Sequence, residues 1–165
     1  GDTKPRDHQG AGSTYYKNDT GRNDIKEVRI AADSDNVWFM IATSGNVTEK
    51  AADTRWMNLW IGVEGAEGGW NNLQYVINRS LDGTKSSVDK ISDNSFVKSG
   101  EAETYVSGNV MIVKVAKSTL GITESTFGLQ VKVTDNLQKD FDVTDLYTNG
   151  DCAPLGRINY SWYVK

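Results

Sequence analysis

Apolar and polar positions alternate with a period of two along much of this chain. The clearest case is Arg55-Trp56-Met57-Asn58-Leu59-Trp60-Ile61-Gly62-Val63. Successive side chains of a strand point to opposite faces, so Met57, Leu59, Ile61 and Val63 enter a core while Trp56, Asn58 and Trp60 look outward. Phe127, Leu129, Val131 and Val133 repeat the pattern with Gln130 and Lys132 on the other face, and Met111, Val113 and Val115 mark a further strand. Val28 and Ile30 alternate around Arg29; after the turn signal Ser34-Asp35-Asn36 comes Val37-Trp38-Phe39-Met40-Ile41, which predicts a hairpin. Strands are also expected across Leu73–Asn78, after the glycine-rich Glu64–Gly69, and across Ile158–Val164. No segment of adequate length carries a 3.6-residue period. Single helical turns are expected at Asn46–Glu49 and at Lys117–Leu120, the latter stopped by Gly121. Residues 1–24 read as an irregular lead-in, and 80–100, rich in Ser, Asp and Lys, as a variable excursion with short edge strands.

Roughly eight to ten short strands with almost no helix predict an all-β antiparallel sandwich of the jelly-roll kind. The 165 residues fit one domain spanning 1–165, without internal repeat or interdomain linker. Projected onto such a sandwich, Arg29, Trp38, Met40, Trp56, Asn58, Trp60, Gln74, Asn78, Gln130 and Lys132 fall on non-core faces.

Charge and cysteine content narrow the partners. A net charge of −4 without a Lys/Arg block argues against a nucleic-acid partner. The apolar stretches are short and interrupted, so no membrane insertion is expected. One cysteine, Cys152, excludes an internal disulfide, and one histidine, His8, leaves little for a Cys-His or Ser-His-Asp arrangement. Abundant glycine, tyrosine and tryptophan suit a secreted β-rich domain, and Gly1 at the start suggests a piece of a longer protein.

Indoles beside amides on an outward sheet face suit sugar: flat rings stack on pyranose C–H faces, and amides hydrogen-bond hydroxyls. The candidate ligands are Trp56, Asn58, Trp60, Trp70, Gln74, Asn78 and Arg29, with Trp70 singled out by Gly68-Gly69 before it. The alternative is that this face is covered by loops or another domain. Asp140, Asp142 and Asp145, and the stretch from Asp19 to Asp24, cluster hard oxygen ligands that would suit a structural Ca²⁺, although not at EF-hand spacing. Glu64 with Glu67, or Glu101 with Glu103, are carboxylate pairs that could be imagined for glycoside hydrolysis. Nothing in the sequence sets either pair across a cleft at the separation of about 5 Å or 6.5–9.5 Å that such hydrolysis needs.

Taken together, Thr20-Gly21-Arg22-Asn23-Asp24-Ile25, Trp56-Met57-Asn58-Leu59, Val76-Ile77-Asn78-Arg79, Asp135-Asn136-Leu137-Gln138 and Gly150–Arg157 carry a resemblance. The runs Phe127–Asp135 and Leu155-Gly156-Arg157-Ile158 contribute most of it. The chain is similar, over nearly its whole length, to the family 9 carbohydrate-binding modules and the wider DOMON-like group. The resemblance implies a non-catalytic β-sandwich that holds sugar, often with structural calcium, appended to bacterial polysaccharide-degrading enzymes. It departs from the family at the tryptophan clamp for a terminal sugar, whose two places fall near Ala51-Ala52 and Asn149, and at the accompanying charged residues, replaced by Asn58 and Val76.

The expectation is therefore a secreted or cell-surface bacterial module, monomeric and not itself an enzyme, that tethers a parent catalytic domain to its polysaccharide. The rival expectation is a structural sandwich that packs on that parent domain without binding glycan.

Overall fold

The computed structural model describes residues 6–18 and 21–164. Its strands are β1 (Arg6–Gln9), β2 (Tyr15–Asn18), β3 (Ile25–Ala32), β4 (Asn36–Thr43), β5 (Asn58–Val63), β6 (Tyr75–Asp82), β7 (Lys85–Ser92), β8 (Ser95–Ser107), β9 (Val110–Ala116), β10 (Phe127–Asp135), β11 (Asp151–Ala153) and β12 (Tyr160–Val164). A 3-10 turn at Lys117–Leu120 and the one-turn helix α1 (Asp145–Thr148) complete the set. Gly121, left-handed at φ 71°, closes the 3-10 turn as expected.

The ladders between these strands are antiparallel, and the fold is an all-β sandwich. The main sheet runs β11-β10-β5-β6-β7-β8-β9-β4-β3, with β12 also paired to β10. Its two ends meet where the Asp151 carboxylate accepts the Ile25 backbone N–H at 2.8 Å. The hydrophobic core lies between the layers. Val37, Phe39 and Ile41 of β4 face it opposite Val115, Val113 and Met111 of β9, and all six are buried. Burying each such side chain contributes about 1.5–3 kcal/mol, which fixes the register because a one-residue slip would turn the whole row outward.

Three expectations are corrected. Within the irregular lead-in, β1 and β2 form a separate hairpin, turned at Gly12 (φ 63°) and joined by Tyr15 donating to Asp7 at 2.6 Å. Residues 80–100 are not an excursion: β7 and β8 are inner strands of the sheet. Their signal is masked because Ser86, Ser87 and Asp89 are buried polar residues, satisfied by bonds such as Ser86 Oγ to Asn78 Oδ1 (2.8 Å) and Ser87 Oγ to Asp89 (2.9 Å). Asn46–Glu49 forms no helical turn.

Candidate functional site

The outward face of β5 is covered rather than open. Lys132, Trp60, Val76 and Asp89 lie opposite one another on β10, β5, β6 and β7. The segment 64–74 folds back over this row. It can do so because residue 62 is glycine: a Cβ there would stand 1.9 Å from the Asn72 carbonyl oxygen. Gln74 staples the segment down, its Oε1 accepting Val63 N–H at 2.9 Å and its Nε2 donating to the carbonyls of Ala66 (3.3 Å) and Gly68 (3.2 Å). Trp60, Leu73, Val76 and Ile91 thereby form a second apolar cluster, packed against Trp70, Phe96 and Phe141.

Most predicted sugar ligands are thus inside the protein. Trp60 is 2% exposed, its indole donating to Thr134 Oγ1 at 2.8 Å. Trp56 is 2% exposed and belongs to the main core, its indole bonded to the Thr48 carbonyl at 2.8 Å. Asn58 and Gln74 are buried, and Asn78 is a fully buried hub bonded to Met57, Ser86 and Thr104. Trp70 is half-buried, 5.5 Å from Trp60 and 6.0 Å from Phe141 between ring centroids. Arg29 is exposed on β3, at the far end of the strand order, paired with Glu27 at 2.6 Å. The outward constellation expected of these residues does not form: Trp56 and Asn78 sit within the main core, and the 64–74 segment covers Trp60.

The described aspartates are likewise engaged, Asp24 through one oxygen only, its Oδ1 being buried without a hydrogen-bond partner. Asp19 lies outside the described residues. Asp24 pairs with Lys26 at 2.7 Å and accepts Ser44 Oγ at 2.9 Å. Asp145 accepts the backbone N–H groups of Gln138 (2.7 Å) and Lys139 (3.0 Å) together with the Asn149 amide, and Asp142 accepts Thr144 N–H at 2.9 Å. Asp140 lies 3.6 Å from Arg55 and 3.8 Å from Arg79. Among the described residues, no group of three or more His, Cys, Asp or Glu is placed to hold a metal ion. The calcium cluster drawn from the sequence is, where described, a set of loop-tying hydrogen bonds and ion pairs.

An open cleft of about 600 Å³ lies elsewhere, where the 47–56 loop meets the β6–β7 turn and β8. Thr48, Glu49, Lys50 and Thr84 supply polar groups and Leu81 and Val106 apolar surface, over the buried Thr104 and Trp56, with Tyr105 at the rim. Tyr105 is 44% exposed, and its hydroxyl is held by Glu103, which also pairs with Lys114 at 3.0 Å. The ring stays accessible on the Glu103 face of β8, opposite the buried Thr104, so that Tyr105 stands at the rim of the cleft. The size falls in the range of small-molecule sites.

The same loop ties the cleft to a charged corner. Arg22 pairs with Asp53 and, at 2.8 Å, with the fully buried Asp135, whose other oxygen accepts Met57 N–H at 2.9 Å. Burial pushes Asp135 up, against the opposing pull of Arg22 and the Met57 N–H. Lys50 donates to the Asp53 carbonyl, and burial lowers its pKa, helped by the positive charges of Arg22 and Arg79 and opposed by Asp53. Arg79 lies over the Phe96 ring at 3.5 Å, and Phe96 stacks on Phe141 at 4.6 Å. Arg79 is also lowered, by burial first and by Arg55, while Asp140 and Asp89 oppose the shift. Tyr105, Arg55 and Arg79 are not site residues by the sequence pattern, although Arg55 opens the Trp56–Val63 alternation and Arg79 closes Val76-Ile77-Asn78-Arg79.

Comparison with known proteins finds no matching family model, no matching curated protein and no matching solved structure.

Proposed function

We propose that the chain is a non-catalytic carbohydrate-binding module, secreted by a bacterium and joined to a glycan-active enzyme that it tethers to polysaccharide. The observation that supports this reading is the cleft with the exposed Tyr105 at its rim, where Thr48 and Thr84 stand beside the charged ends of Glu49 and Lys50. Aromatic stacking with hydroxyl-directed polar contacts is the chemistry a pyranose needs. Tethering then raises the local concentration of substrate around a linked catalytic domain. The sequence resemblance points the same way, with the site moved from the covered β5 face to the 47–56 loop. The test is retention of the protein on soluble and insoluble glycans, with and without a calcium chelator. Retention that Tyr105→Ala abolishes supports the reading, and silence across plant, host and microbial glycans overturns it.

One observation favours the rival reading, a structural module packed on its parent domain. Leu155, Ile158, Tyr160 and Tyr163 are all exposed on one short C-terminal stretch. Exposed apolar side chains gathered in this way mark interaction surfaces. Under that reading glycan retention is absent, and polar substitutions at Ile158 and Tyr163 loosen the parent protein while leaving this sandwich intact.

A further inference from the structure

The charged corner beside the cleft holds cations that its own carboxylates serve poorly. Arg55 reaches Asp140 only at 3.6 Å, and Arg79 reaches Asp140 at 3.8 Å and Asp89 at 3.9 Å. These distances lie beyond hydrogen-bond contact. Arg55 Nε and Arg79 Nη1 are buried and have no hydrogen-bond partner. The two guanidinium groups flank one carboxylate, one at each oxygen of Asp140, and Arg55 shares the 47–56 loop with Lys50, which lines the cleft.

The arrangement is held rigidly. Arg79 is pinned flat on Phe96, and Phe96 on Phe141. Phe141 has a φ of 58°, a left-handed conformation that a bulky residue adopts only when its surroundings impose it. Asp140, which precedes it on the same loop, is part-exposed and can yield its place. A pre-set guanidinium fork with unused N–H groups matches a planar carboxylate, which accepts two parallel hydrogen bonds. Neutral hydroxyls offer no charge to offset the mutual repulsion of Arg55, Arg79 and Lys50. Opposing an anion are Asp89, Asp140, Asp53 and, at the cleft's outer wall, Glu49.

Resting on the glycan-binding reading, we infer that Arg55 and Arg79 form an acidic-sugar subsite that takes the carboxylate of a uronic acid residue whose chain lies along the Tyr105 cleft. The ligand carboxylate replaces Asp140 between the two guanidinium groups. Lys50 contributes long-range attraction from the cleft side.

The test uses the full chain and short oligomers of galacturonate, glucuronate and mannuronate, alongside their neutral counterparts and a sulfated disaccharide. The arginine Nε–Hε signals are followed by NMR, and affinities by calorimetry. Uronides are expected to bind at least about tenfold tighter than neutral sugars, a difference of about 1.4 kcal/mol, and to shift the Arg55 and Arg79 signals. Arg55→Gln and Arg79→Gln should each erase the preference while neutral binding persists, and Asp140→Asn should increase it. The wild-type NMR readout stands should Arg79→Gln fail to fold. Equal binding of neutral and acidic sugars with unmoved arginine signals overturns the subsite and leaves the glycan reading in place. Preference for the sulfated sugar overturns the carboxylate assignment. No binding to any saccharide overturns the glycan reading and the subsite with it.

Discussion

Lys132 on β10 lies buried beneath Pro154, its Nζ donating to the carbonyl oxygens of Pro154 and Gly156, each at 2.6 Å. The lysine comes from the outward row of the sheet, and the 154–156 segment closes over it. Burial lowers the ammonium to about 8 from the usual 10.5, with Cys152 opposing. Lys132→Met leaves both carbonyls without a donor, which should cost about 1–3 kcal/mol by urea unfolding at pH 7. The pH dependence has a definite sign. Between about 8 and 10.5 the unfolded chain holds the Lys132 proton and the folded chain does not, so stability rises with pH across that window. The neutral amine still has two N–H groups, one for each carbonyl. The deficit of Lys132→Met relative to wild type should therefore widen above pH 8, and a deficit that narrows there would show that the ammonium is the stabilising form.

Asp33 governs the β3–β4 turn at the other end of the pH scale. Its carboxylate accepts the Trp38 indole N–H (2.8 Å) and the backbone N–H groups of Asp35 (2.8 Å) and Asn36 (2.7 Å). These three donors favour the charged form and hold its pKa at about 2, below the ordinary 3.8. A depressed folded pKa gives stability that is present above about 3.8 and lost as pH falls through about 2. The Trp38 indole proton should shift with a midpoint near 2, and Asp33→Asn should remove that transition. A midpoint near 4 in the wild type would mean that the three bonds do not persist in solution.

What the sequence made legible depended on what lies on each side of a strand. β4 and β9 were readable because one face enters the core and the other is half-exposed, so Val37, Phe39 and Ile41 alternate with Trp38 and Met40. β5 shows the limit. Its alternation is real, but Asn58 through Gly62 are all buried, because the 64–74 segment, joined by Phe96 and Phe141, covers the second face. Alternation reveals two faces and is silent on what covers them. β7 escaped because its buried Ser86, Ser87 and Asp89 look like loop residues until Asn78 and Arg79 are placed beside them. Tyr105 and Arg79 drew no notice for the same reason: a cleft and a charged corner are made by loops that only the fold brings together.

Asn78 was read as a sugar ligand, and its bonding argues for a structural role. At φ 76° it takes a left-handed conformation that Asn tolerates better than most residues. Its Nδ2 donates to the Met57 carbonyl at 2.9 Å, and its Oδ1 accepts Ser86 Oγ at 2.8 Å and Thr104 Oγ1 at 2.7 Å. Asn78→Ala leaves the Met57 carbonyl and two hydroxyls buried without that partner, so a loss of about 3 kcal/mol or more is expected in urea unfolding. Asn78→Asp keeps the acceptor but buries a charge, and should be worse at pH 7 than at pH 4. Unchanged stability in both variants would return Asn78 to the list of candidate ligands.

Trp60 and Tyr105 separate the two places where an aromatic ring could meet a sugar. Trp60 fills the space between β5 and the folded-back 64–74 segment, and its indole bond to Thr134 anchors the row at 2.8 Å. Trp60→Ala should open a cavity there at a cost of about 3–5 kcal/mol. The loosened 64–74 segment should then become sensitive to proteolysis, with any loss of glycan retention following the loss of fold. Tyr105 is exposed, and its loss removes no core contact, so Tyr105→Ala should change stability by no more than about 0.5 kcal/mol. Retention on glycan should nevertheless disappear. Measuring unfolding and retention on the same two proteins keeps the causes apart. A stable Trp60→Ala that loses retention would return the site to the β5 face, while a stable Tyr105→Ala that keeps retention would remove it from the cleft.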